Sequence, residues 1–234
     1  MDKKIRYTIM VLMLLFISSA CTSITGKDLQ EELDAKNQII RALENENKDL
    51  EERILELEEN IDNISKSKTN KLIGTALETV ELLKNKDMRS LSSYVHPTKG
   101  LRFSPYGNIN IASDQVFTQE EVAGLLNNNE IYTWGYYDGI GDTINLKFID
   151  YYNRFVYDVD FANPHMIGNN YLIGKGNSLI NIEDAYSNAE YVEFHFTGFE
   201  SQYEGMDWKS LRLVFEEDND KYYLIGIIHD EWTI

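Results

Sequence analysis

The sequence predicts an α+β protein: a signal peptide, then a long coiled-coil helix, then one globular domain in which helices precede antiparallel strands. Three observations carry this. Leu and Ile recur at heptad spacing between Lys27 and Ile64. Apolar residues then recur at helical spacing from Ile73 to Leu83, and a capping-box pattern stands at Thr118 and Glu121. Beyond these the chain turns to alternating, aromatic-rich runs that end in two strands flanking Glu217-Asp218-Asn219-Asp220.

Residues 1–20 have the layout of a secretory signal peptide. Lys3, Lys4 and Arg6 precede the apolar run Ile9 to Ile17, and Ser18-Ser19-Ala20 lead to Cys21. The run is shorter than the roughly 20 residues that span a bilayer as a helix. Cys21 is the only cysteine of the 234 residues, so no intrachain disulfide is possible. The small residues before it resemble the lipobox of bacterial lipoproteins, with Ser18 where that family usually has Leu. The resemblance implies a diacylglycerol-modified Cys21 as mature N-terminus, with residues 21–26 anchored at the outer face of the cytoplasmic membrane. Two or three acyl chains, palmitate among them, would hold the protein there stably.

Residues 27–64 read as a stalk. With Ile40 at position a, the a positions are Leu33, Ile40, Asn47, Ile54 and Ile61; d holds Leu29, Lys36, Leu43, Leu50, Leu57 and Ile64. β-Branched residues at a with Leu at d favour two parallel strands, and Asn47 at a fixes register. A parallel homodimer is expected. Its flanking charges disagree, since Arg53 would meet Glu58 but Glu46 would meet Glu51. Such a helix spans ~57 Å at the standard rise. The polar stretch Ser65 to Asn70 reads as a hinge between stalk and domain.

Residues 71–234 form the globular domain, which contains most of the 15 Tyr and the three Trp. One helix carries Ile73, Ala76, Leu77, Val80 and Leu83 and ends near Asn85-Lys86. A second starts at the N-cap Asp87, runs through Leu91 and Tyr94, and stops at Pro97. A third follows Thr118 through Val122, Leu125 and Leu126. Strands are expected at Ile131–Tyr137, Tyr171–Gly174, Glu190–Thr197, Leu211–Glu216 and Tyr222–His229, with Phe148–Tyr157 read as helix. This order resembles nuclear-transport-factor-like domains, in which helices pack into the hollow of a curved antiparallel sheet to form a cone. The runs Tyr94-Val95-His96-Pro97, Arg102-Phe103-Ser104-Pro105-Tyr106, Gly205-Met206-Asp207-Trp208 and Ile227 to Ile234 resemble those of uncharacterised lipoproteins from low-GC Gram-positive bacteria. That likeness implies no activity, and the cone superfamily includes both enzymes and binding domains.

A net charge of −17 opposes nucleic-acid binding, which requires a basic surface. No cofactor is expected. His96, His165, His195 and His229 lack the spacing of metal-ligand pairs. The best ligand-binding set joins Glu193 and His195 on one strand face, Asp207-Trp208 in a loop, and His229 and Asp230 near the chain end. Alternation puts Val192, Phe194 and Phe196 on the opposite face of their strand, and the polar face could meet solvent or a pocket. Asp138-Gly139-Ile140-Gly141-Asp142 reads as a tight turn rather than a calcium loop, and Gly174-Lys175-Gly176-Asn177 as a turn or bulge. Trp134, Tyr136, Tyr137, Tyr151 and Tyr152 could line a sugar or peptide surface, with core packing the plainer role.

The functional expectation is therefore a membrane-tethered, non-catalytic binding or assembly module, its partner an envelope protein or a small ligand. The alternative is an enzyme or small-molecule receptor with an aromatic-lined pocket inside the cone, which would hold His195 or His229. A mainly structural cap on the stalk is the third possibility.

Overall fold

The structure, a computed structural model, describes residues 26–233; the signal-peptide and lipidation readings at residues 1–21 lie outside them. The chain divides into two compact units, Met1–Asp62 and Asn63–Ile234. Helix α1 (Gly26–Lys84) contributes to both. In the first unit the seam residues Leu29, Leu33, Ile40, Leu43, Leu50, Ile54, Leu57 and Ile61 are all exposed. Lys36 pairs with Glu32 one turn away at 2.5 Å. Among the described residues, no helix is long and apolar enough to cross a membrane.

The hinge expected at residues 65–70 is helical, and this corrects the sequence reading. Ser, Lys, Thr and Asn cost a helix little without Gly or Pro among them. Tertiary contacts decide the outcome: Lys68 pairs with Glu217 at 2.8 Å, and Lys71 donates to the carbonyl of Asp220. Within the second unit the end of α1 buries Leu72, Ala76, Val80 and Leu83. A left-handed Lys86 closes it, and the N–H of Asp87 donates to Leu82.

Helix α2 (Met88–Ser92) is capped by the Asp87 side chain as expected, but it stops before Tyr94. There the chain leaves the helix to exchange backbone hydrogen bonds with Leu224. Strands β1 (Leu101–Ser104) and β2 (Gln115–Phe117) follow, then α3 (Gln119–Gly124), whose Thr118–Glu121 capping box forms in both directions. A hairpin of β3 (Ile131–Tyr136) and β4 (Thr143–Lys147) leads into α4 (Phe148–Phe155). Then come β5 (Met166–Asn169), α5 (Ile182–Ala185), β6 (Glu190–Phe196), β7 (Lys209–Asp218) and β8 (Lys221–Glu231).

Six strands form one curved sheet in the order β2-β1-β8-β7-β6-β5. It is mixed rather than antiparallel, because β1 runs parallel to β8 with Phe103 opposite Ile227. The strand expected at Tyr171–Gly174 is irregular, and β5 occupies the sheet edge instead. The final hairpin is tighter than expected: Asn219 and Asp220 both adopt positive φ, so the strands reach Asp218 and Lys221.

The registers stack residues in rows across β6, β7 and β8. On one face lie Val192-Leu213-Ile227, Phe194-Leu211-His229 and Phe196-Lys209-Glu231. This face belongs to the main core, shared with Leu72, Leu83, Phe103, Trp134, Tyr151 and Phe155. On the other lie Tyr191-Val214-Gly226, Glu193-Arg212-Ile228 and His195-Ser210-Asp230. A smaller core of Ile109, Ile182, Tyr191, Val214, Ile225 and Ile228 covers part of that second face.

Candidate functional site

The six site residues expected from sequence do not form one group. His229 and Asp230 are consecutive in β8, so they point to opposite faces of the sheet. Glu193, His195 and Asp230 share the second face, where the irregular segment 171–181 lies over them. At these three residues the face is neither solvent nor open pocket.

Glu193 is fully buried and accepts from the N–H groups of Ile173 and Gly174, both at 2.9 Å, and from Ser210 Oγ at 2.5 Å. Arg212, equally buried, lies 3.3 Å from Glu193 through Nε and Nη2. It also donates to Asp230 at 2.7 Å and to the Gly174 carbonyl at 2.8 Å. Burial opposes the guanidinium charge, but Glu193 and Asp230 outweigh it and the pKa of Arg212 is raised. His195 shares a hydrogen bond with Ser210 at 2.8 Å, and burial lowers its pKa, favouring neutral imidazole.

The covering segment needs glycine. A Cβ on Gly174 would come within 2.4 Å of Ser210 Oγ and 2.7 Å of the Trp208 ring. Trp208 is buried beside His195, its ring 5.9 Å away, and its Nε1 has no partner among the described residues. Asp207 faces its own loop and accepts from Phe199 and Glu200 at 3.0 and 2.8 Å. It braces the turn before β7 rather than joining the buried set.

On the main-core face, His229 is fully buried with the Phe155 and Phe161 rings edge-on to it at 5.8 and 6.5 Å. Its Nε2 lies 3.3 Å from Asp158, and its Nδ1 has no partner among the described residues. Asp158, His229 and Glu231 bring potential ligand atoms within 4.8 Å of one another, a donor set that a metal ion could use. Lys209 already bridges the two carboxylates, however, reaching Glu231 at 3.0 Å and pairing with Asp158, while Arg154 pairs with Glu231. Two fixed cations balance two carboxylates, so the cluster has no charge left for a metal to neutralise. Burial would raise the pKa of Asp158; His229 and Lys209 overrule it and bring it to about 2.

Arg212, Ser210, Lys209 and Asp158 were missed by the sequence reading. Alternation does place Ser210 and Arg212 on one strand face, but only the register of β6 against β7 puts Arg212 opposite Glu193. The aromatic cluster also divides. Trp134, Tyr151 and Tyr152 are core, with Trp134 stacked on Tyr151 at 3.8 Å. Tyr136 and Tyr137 instead line an open cleft of about 660 Å³ with Tyr106, Asp114, Asp138 and Leu179, and none of the six candidate residues reaches it.

Compared with protein-family models, with curated proteins and with solved structures, the chain matches none.

Proposed function

We propose that this protein is a lipid-anchored extracytoplasmic binding or assembly module, displayed on a two-stranded stalk and without catalytic chemistry of its own. The observation that carries the second half is the state of its polar residues. Glu193 and Asp230 both pair with the single cation Arg212, and Glu193 also accepts from the Gly174 N–H of segment 171–181. A general acid or base must reach its substrate, and these groups are spent on holding the fold.

The exposed a and d residues of α1 support the stalk, since a heptad seam in water gains stability by packing on a second copy. The curved sheet, with the end of α1 and α2 to α4 in the main core and only the short α5 in the smaller one, supports a nuclear-transport-factor-like cone. Phe155 and Phe161 fill the interior around His229, which favours the binding module over an enzyme with His229 in a central pocket.

Metabolic labelling with palmitate tests the anchor. The wild-type protein incorporates label and fractionates with membranes; Cys21→Ser does neither. Equal release of both proteins into the medium would overturn the tether.

A further inference from the structure

Tyr136 and Tyr137 are adjacent in sequence, and adjacent residues of a regular strand face opposite ways. Here both line the same cleft. The reason is that β3 ends at Tyr136, so alternation does not govern Tyr137, which starts a turn: its N–H donates to the Asp142 carbonyl and the Gly141 N–H donates to its own carbonyl oxygen. The same turn brings Ile140 into the cleft, and segment 171–181 contributes Leu179.

The cleft gathers apolar surface left exposed among the described residues. Ile140, Leu179 and Tyr136 are 73%, 80% and 60% exposed. A lone exposed apolar residue needs no explanation, but three meeting in one concavity mark a binding surface. Two more rings are set in advance: Tyr106 and Tyr137 pack on buried Phe155 with centroids 5.6 and 6.2 Å away. Rings already fixed lose little freedom when a ligand arrives.

The charge of the lining is one-sided. It contains Asp114 and Asp138 but no Lys, Arg or His. Asp138 accepts from Ser178 at 2.7 Å, Thr233 at 2.5 Å and the Gly139 N–H at 3.1 Å, all neutral donors. They keep it ionised without cancelling its charge. Asp114 accepts from Ser104 Oγ at 2.5 Å and the Asn110 N–H at 3.0 Å, and Arg102 donates to the main-chain carbonyl of Asp114 at 3.4 Å. Asp138 is therefore the uncompensated carboxylate.

We propose that this cleft binds an organic cation on an apolar carrier, its ammonium or guanidinium group against Asp138 and the tyrosine rings. Ring faces attract cations, the aliphatic walls take the carrier, and the net charge of −17 draws cations toward the surface. Phosphorylated or carboxylate ligands would meet no cation here. The proposal rests on the reading of the domain as a binding module and gives that module its ligand class.

The test is calorimetric titration of the full-length protein in non-ionic detergent with phenethylammonium, and with 2-phenylethanol as its uncharged counterpart. Saturable binding of the amine is expected, about tenfold tighter than the alcohol, the scale of a cation–π contact with a nearby carboxylate. Tyr136→Ala removes an exposed ring, and Asp138→Asn removes the charge; each weakens the amine by about fivefold or more. Should Asp138→Asn fail to fold, Tyr136→Ala and Ile140→Ser decide. Equal affinity for amine and alcohol, preference for a neutral disaccharide, no saturable binding, or binding insensitive to the folded variants overturns the proposal. Its failure is separable from that of the tether: palmitate labelling with no amine binding discards the cleft alone, and amine binding by an unlabelled protein discards the anchor alone.

Discussion

Glu193 and Arg212 face each other across β6 and β7, both without solvent exposure, and the carboxylate uses its remaining lone pairs on the backbone of segment 171–181. The pair therefore couples the sheet to its cover. Removing one partner leaves the other charge buried, at a cost of about 3–5 kcal/mol. Arg212→Ala is expected to lose stability on that scale in urea unfolding. Glu193→Gln combined with Arg212→Met should cost less than the sum of the single changes, because both remove the same Glu193–Arg212 interaction, although Asp230 still loses its cation. Strict additivity in the double-mutant cycle would show that the two side chains do not act together.

Gly174→Ala tests the close approach of the cover. Its methyl group would overlap Ser210 Oγ and the Trp208 ring, and overpacking of this kind costs about 1–3 kcal/mol. A lower melting temperature with altered Trp208 fluorescence is expected. Gly141→Ala leaves open space around its Cβ but sits at φ 74°, so its penalty comes from backbone strain and should leave Trp208 fluorescence unchanged.

Asp158 sets an acid limit. Its folded-state pKa, about 2, lies below the ordinary 3.8, so it contributes stability that is complete above pH ~4 and lost as pH falls toward 2. A shift of this size corresponds to about 2 kcal/mol. His195 acts higher: buried with a lowered pKa, it stays neutral when the unfolded chain takes up a proton, so stability also declines below the ordinary value of 6.5. Asp158→Asn should flatten the stability profile between pH 4 and 2 but leave the upper decline in place. An unchanged profile below pH 4 would remove Asp158 from the account.

Asn47→Leu reports on the stalk. In a parallel two-stranded coil it should strengthen association while loosening the choice between two strands and more. Sedimentation of residues 27–234 is expected to give a dimer for the wild type and a tighter or higher-order species for the variant. Monomers of both at high concentration would exclude the zipper.

Much of the fold could be read locally. The Asp87 cap, the Thr118–Glu121 box, helix α4 and the last hairpin each depend on neighbours within a few residues, and each forms. The elements that were misjudged depend on distant partners. Helix through residues 65–70 is held by Lys68 and Lys71 against a turn some 149 residues away, and Tyr94 leaves its helix for Leu224. Short β1, β2 and β5 have too few residues to show a period; pairing defines them.

By itself the sequence determined the apolar seam of α1, the helix caps, and which residues of β6 share a face, because all of these are matters of period and local hydrogen bonding. Only the tertiary structure decided that Glu193 would be paired and covered, that His229 would be separated from Asp230 by the thickness of a sheet, and that Tyr136 and Tyr137 would share a cleft. Strand register and the points at which pairing stops, Tyr136 in β3 and Glu231 in β8, settle those outcomes. Both depend on which strands meet, and that is fixed by packing over the whole domain.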